Sequence, residues 1–181
     1  YKQLKAMDWK PEIIELPHFP SEPAFIEPLA NSIRPHLADG THLLFSYHGL
    51  PISHLKRSDH SGKHCQKIDN CCLIGVEGNA MCYAHHCMLT TLSVVGALGI
   101  DELDWSISFQ SRLGPAKWLQ PSTKKMVENL AEDGKTKIAI VSPAFLADGL
   151  ETLEELDIEI REHFIEHGGQ ELVVVNCLND N

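Results

Sequence analysis

Positive charge is what this chain lacks. Its 15 Lys and Arg stand against 25 Asp and Glu, a formal net charge of −10, and no segment gathers a basic stripe. That argues against a nucleic-acid partner, which needs such a stripe to meet the phosphates. No apolar run approaches the ~20 residues of a membrane-spanning helix, so no span is expected, and peripheral membrane contact is left open. C-x2-C pairs, the usual mark of a zinc site, are missing. So are internal repeats and low-complexity tracts. Tyr1-Lys-Gln-Leu-Lys has no apolar core behind it, so no signal peptide is read there. The first residue is not Met, which means either a processed N-terminus or a piece of a longer chain.

What is present reads as one ordinary domain. Hydrophobic content is 43% and charged content 22% over 181 residues, enough for a real core. Residues 1–20 are punctuated by Pro11, Pro17 and Pro20 and read as an opening segment, with the domain proper over 21–181. A helix is predicted from Pro23 to Ala38, stopped by Asp39-Gly40. Strand Leu43–Tyr47 follows, then helix Tyr83–Leu98 ending at Gly99, and strand Trp105–Phe109. Helix Pro121–Asp133 stops at Gly134 and leads to strand Lys137–Ser142. Helix Leu150–His167, closed by Gly168-Gly169, leads to strand Leu172–Cys177. Apolar strands separated by single helices predict an α/β fold: a Rossmann-like, three-layer domain with a four-stranded parallel sheet.

In open parallel sheets, ligands bind beyond the carboxyl ends of the strands. His48 stands at one such end, inside Ser46-Tyr-His-Gly-Leu-Pro51. Glu151 opens the helix after another. Neutral imidazole and carboxylate together can accept protons and hold a divalent cation briefly. Each also has a plainer role. His48 fits a strand-end residue bonded to a loop carbonyl. Asp148-Gly-Leu-Glu151 fits a variant capping box, with Asp148 at N-cap and Glu151 at N3. The helix buries Leu153, Leu156, Ile160 and Phe164, leaving Glu151, Glu155, Glu159, Glu162 and Glu166 on other faces. Glu151 and Glu155 are like-charged i,i+4 neighbours, a cost better explained if a cation passes between them. From Glu159 onward the acids read as a solvated face.

Five of the six cysteines fall between Cys65 and Cys87, and residues 60–82 are the one composition break. A secreted disulfide scaffold would be shorter and loop-rich. Among surroundings that read as a cytosolic α/β enzyme, metal binding is favoured. Cys65, Cys71, Cys72 and Cys82 are spaced C-x5-C-C-x9-C. Four thiolates in one loop can hold a [2Fe-2S] cluster; zinc and free thiols stay open on spacing alone. Cys177, on the last strand, reads as a buried thiol.

Five ordered segments carry a resemblance: "FSYHGLP" at 45–51, "CYAHHCMLTT" at 82–91, "ISFQSRLGPAKWLQPST" at 107–123, "SPAFLADGLETLEELDIE" at 142–159, and "GG" with "VNCLND" near the end. They resemble the ferrochelatases, which put Fe²⁺ into a porphyrin to make haem. The resemblance covers nearly everything from residue 20 on. It implies a chelatase-like fold of two similar halves, of which this chain is similar to the C-terminal one, with the N-terminal half as its partner. It implies that His48 and Glu151 are catalytic and that His48, Glu151 and Glu155 handle the Fe²⁺ substrate. It places Ser46, Tyr47 and Trp118 at the porphyrin pocket, although Trp118 also fits a core aromatic. Many relatives have a histidine two residues before the glutamate, where this chain has Gly149. The cysteine insert is similar to that of some bacterial members, which implies a [2Fe-2S] cofactor on Cys65, Cys71, Cys72 and Cys82. Cys87 matches a cysteine found without the insert and is left out of that set. Protoporphyrin IX is the expected porphyrin, with coproporphyrin open, because the residues that read propionates lie mostly in the other half. Which of His48 and Glu151 takes protons and which delivers metal is not assigned by spacing. The alternative expectation is a non-catalytic module that binds a [2Fe-2S] cluster, or haem through His48.

Overall fold

Four β-rich runs align as one all-parallel sheet, in the order β2-β1-β3-β4. The computed structural model describes residues 3, 6–7, 11–38, 40–101 and 104–180. In chain order the elements are α1 (Pro23–Ile33), β1 (Thr41–His48), α2 (Ile52–Ser58), α3 (Tyr83–Leu98), β2 (Trp105–Gln110), α4 (Thr123–Glu132) and β3 (Lys137–Val141). A π-helical stretch, Glu151–Ile160, runs into α5 (Arg161–Glu166), and β4 (Glu171–Val174) closes the sheet.

Alternation along the strands feeds two cores. Leu43, Phe45 and Tyr47 of β1, with Ala139 and Val141 of β3, pack against Ile26, Leu29 and Ile33 of α1 and Val94 of α3. On the other face, Leu44, Ile138 and Ile140 pack against Val127 and Leu130 of α4, and against Leu156, Ile160 and Phe164. Helices therefore cover both faces, the expected three-layer α/β arrangement.

Several boundaries differ from the sequence reading for local reasons. The first helix leaves α geometry at Ile33 and tightens into a 3-10 turn over Arg34–His36, because Pro35 has no N–H to give the α ladder. Asp39, half of its expected stop, lies outside the described residues. Residues 52–58, which carry no clean period, still form a short helix by burying Ile52 and Leu55. Pro121 precedes α4 rather than opening it, and Ser122 is the N-cap, its hydroxyl accepting from Lys125 N.

The largest departure is the last long helix. Its first ten residues wind as a π-helix, which takes more residues per turn than an α-helix and turns the i,i+4 row into a nearly straight stripe. The buried stripe is thus Thr152, Leu156, Ile160 and Phe164, while Leu153, expected inside, is 58% exposed.

Candidate active site

The strand order sets where a ligand can sit. From β1 the chain moves to β2 on one side; from β3 it moves to β4 on the other. The switch point lies between β1 and β3, and ligands in open α/β sheets bind at that crevice. His48 ends β1 there, and the loop leaving β3 leads to Glu151 there.

Gln110 ties the two together. It is the register partner of His48 on β2, and its side chain is buried. Its amide Nε2 donates to the Glu151 carbonyl at 2.9 Å. Its Oε1 accepts from Ser46 Oγ at 2.6 Å and from Ser142 Oγ at 3.4 Å. One buried amide thus links β1, β2, the end of β3 and the start of the π-helix. Gln110 lies in the 107–123 segment that carries the resemblance, but nothing there singles it out from its neighbours; its role is visible only in the tertiary structure.

His48, Ser46 and Leu44 share one face of β1, the face covered by the π-helix. The His48 ring packs beside Phe145, 6.2 Å between centroids. Its Nδ1 lies 2.7 Å from the Gly49 carbonyl. Donation there leaves Nε2 with a free lone pair. Glycine follows the histidine because the chain closes tightly on β2: Gly49 N donates to Gln110 O at 2.8 Å. A Cβ on Gly49 would stand 2.8 Å from that oxygen and 3.3 Å from the Trp118 ring.

The capping box expected for Glu151 does not form. Thr152 takes the capping part: its Oγ1 accepts from Gly149 N and donates to Asp148 Oδ1. The Asp148 carboxylate also takes Cys177 N and Asn179 Nδ2. Hydrogen bonding to Asn179 and Cys177 holds its carboxyl below the usual range against the opposing effect of burial. Glu151 is left facing an open groove of about 490 Å³, lined by Ser111, Arg112, Leu113, Leu150, Glu151, Glu154, Glu155 and Glu159. Glu159, read as part of a solvated face, shares that groove because π-winding brings residues 151, 155 and 159 into one row. Glu155 is fixed by Ser111, whose N and Oγ donate to its two oxygens at 2.6 and 2.5 Å. Ser111 does so at φ +60°, a conformation L residues other than Asn and Asp seldom adopt.

Other expected pocket residues lie off the groove. Tyr47 faces the opposite core, its hydroxyl 2.8 Å from Thr91 Oγ1. Ser46 is fully buried beneath Gln110. Trp118 bridges to Pro51 and keeps a buried indole N–H without a partner. His48 itself is not a groove-lining residue.

Two of the four insert thiols meet directly, those of Cys71 and Cys72, while Cys65 and Cys82 are near enough to act on them electrostatically. All six cysteines are free, and Cys71 Sγ and Cys72 Sγ are 3.9 Å apart. Burial, then the neighbouring Cys71, pushes the Cys72 thiol up to about 12. Burial and then Cys82 and Cys71 push Cys65 upward too. The loop is built around backbone clamps. Asp59 accepts from Ser61 N, Ser61 Oγ, His64 N and Cys65 N, bonds that hold its carboxyl far below the usual range. The Cys71 carbonyl takes His64 Nε2 and Asn79 Nδ2, and the Cys72 carbonyl takes His85 Nδ1. Cys177 is buried, as expected, and Cys87 is buried as well.

A sequence model of the ferrochelatase family matches residues 1–181. This chain belongs to the ferrochelatase family. A ferrochelatase from Pseudomonas syringae pv. tomato is 42% identical over 98% of this chain and 53% of its own length. One from Stutzerimonas stutzeri is 48% identical over 89% of this chain and 48% of its own length. One from Azotobacter vinelandii is 42% identical over 98% and 53%. The chain spans about half the length of the curated ferrochelatases it matches.

Proposed function

We propose that this chain is the C-terminal half of a ferrochelatase that inserts Fe²⁺ into a porphyrin, protoporphyrin IX first among them, in haem biosynthesis in the cytoplasm. The observation that carries the reading is the Gln110 link, which brings the strand end bearing His48 and the helix bearing Glu151 to one switch point. Family membership supports the reaction class. No helix among the described residues is long and apolar enough to cross a membrane. The domain proper runs from 21 to 181, behind an opening segment over 1–20.

The reaction removes two pyrrole protons and inserts a doubly charged ion. The groove offers four carboxylates against the single guanidinium of Arg112, a balance that draws in a divalent cation. Glu151 and Glu155 hold that ion, with weak oxygen ligands that release it readily. His48, its Nδ1 engaged with Gly49, presents Nε2 to accept one pyrrole proton, and the second leaves to solvent in the open groove. In this reading Trp118 and the β1 end wall the porphyrin beside the groove, Ser46 holds that strand end through Gln110, and Tyr47 anchors β1 in the opposite core. Binding energy at the macrocycle rim, much of it from the N-terminal half, holds the ring bent.

Cys65, Cys71, Cys72 and Cys82 are assigned to a [2Fe-2S] cluster. The 3.9 Å between Cys71 and Cys72 suits two ligands of one iron. Bound there, a cluster would neutralise thiolates that otherwise repel each other.

The test uses the protein with its N-terminal half. Wild type should insert Zn²⁺ or Fe²⁺ into protoporphyrin, followed by fluorescence and absorbance. His48→Ala and Glu151→Gln should each lower turnover at least about 100-fold while circular dichroism stays unchanged. Full turnover in both variants would overturn the reading and favour a non-catalytic cluster- or haem-binding module.

A further inference from the structure

The far end of the same helical column carries a group that the site above does not use. His163 of α5 and His167 just beyond it are four residues apart, and Glu128 reaches them from α4. One ligand atom from each of the three lies within 4.8 Å of the other two. The imidazole rings stand 4.2 Å apart at centroids, tilted by 48°. His167 Nδ1 lies 2.8 Å from the His163 carbonyl. Donating its N–H there fixes the tautomer and leaves the Nε2 lone pair free, the arrangement metal-binding histidines use. His163 Nε2 is buried with no hydrogen-bond partner, a state that folded proteins rarely leave unexplained.

We infer that Glu128, His163 and His167 form a binding site for a first-row divalent transition-metal ion. Two imidazoles and one carboxylate suit Zn²⁺ or Fe²⁺, whereas Mg²⁺ and Ca²⁺ take all-oxygen sets. Donor atoms around tetrahedral zinc, with bonds of about 2.05 Å, stand about 3.3 Å apart. The three atoms here, at most 4.8 Å apart, need only modest side-chain rotation to close on an ion. Glu128 is also paired with Lys125 at 2.8 Å, but an i,i+3 pair whose lysine is exposed is weak and gives way readily. Three protein ligands leave the remaining positions to water. The group lies toward the edge where the strands begin, away from His48 and Glu151, and it does not depend on the porphyrin reading.

The test is a titration of the ¹⁵N-labelled full protein with Zn²⁺ alone, following histidine ring nitrogens by NMR. His163 and His167 Nε2 should move together and saturate with one ion, separately from any response of the cysteine insert. Glu128→Gln, a conservative change at a half-buried residue, should weaken the zinc affinity read at these rings by about tenfold or more, since even outer partners of metal ligands are worth 10–100-fold. His163→Ala should abolish the shift at His167 while circular dichroism is unchanged. Unmoved His163 and His167 nitrogens in excess zinc, or an unchanged affinity in Glu128→Gln, would overturn the inference.

Discussion

The phenol of Tyr83 donates to the backbone carbonyl of His48 at 2.9 Å. Tyr83 opens α3 directly after Cys82, so the cysteine loop and the strand end bearing His48 meet at one joint. Burial pushes the phenol far above its ordinary pKa, so it stays a neutral donor at every relevant pH. Tyr83→Phe leaves the His48 carbonyl short of a donor and should cost about 1 kcal/mol. The urea midpoint should fall with an unchanged m-value, and Zn²⁺ insertion by the assembled enzyme should fall with it.

Gly49 and Gly96 make a matched pair. A methyl at Gly49 meets Gln110 O at 2.8 Å, whereas one at Gly96 meets nothing within 4 Å. Gly49→Ala should destabilise by about 1–3 kcal/mol through overpacking. Gly96→Ala, inside α3, should stabilise by about 0.5–1 kcal/mol through helix propensity. Thermal unfolding should move the two midpoints in opposite directions.

Gln110→Ala should destabilise by about 1–3 kcal/mol, because Ser46, Ser142 and the Glu151 carbonyl all lose a partner in a buried place. Backbone hydrogen exchange should rise at Glu151 and Thr152 while the β1 core stays protected. Unchanged exchange there would mean that the helix start is held by Asp148 and Thr152 alone.

His42 is buried, its Nε2 2.9 Å from Ser106 Oγ. Burial, helped by Lys135, pulls its pKa from 6.5 to about 4. The unfolded chain therefore binds more protons between those two values, so stability rises with pH across that window and is lost as pH falls through it. The loss between pH 7 and pH 4 should be on the order of 3 kcal/mol from this group. Denaturant midpoints measured across that range check it, and the His42 ring should not titrate by NMR until near pH 4.

Asp59 holds the cysteine loop by accepting four hydrogen bonds. Asp59→Asn replaces one acceptor oxygen with an amide that faces other donors. Alkylation of Cys65 by iodoacetamide, slow while that thiol is buried, should accelerate, and Cys177 should react at its former rate.

The order of strands and helices was legible in sequence, because apolar runs, Gly stops and Pro breaks are local signals. So was His48 at a strand end, and so were the four cysteines of one loop. The row of groove carboxylates was legible only in part. Side-chain spacing assumed 3.6 residues per turn, and that assumption put Leu153 inside and Glu159 outside the site. Gln110, Ser111 and Tyr83 fall inside the resembling segments but carry no local mark of their own role, and neither does the Glu128–His163–His167 group, since each matters through a partner 35 or more residues away.

By itself, then, the sequence determined the parallel α/β sheet, its family, and which chemistry-bearing residues the chain owns. Only the tertiary structure decided which of them meet. Strand register put Gln110 beside His48, and π-winding turned Glu151, Glu155 and Glu159 into one row. Both depend on how distant segments pack against each other, and a linear pattern of residues does not carry that geometry.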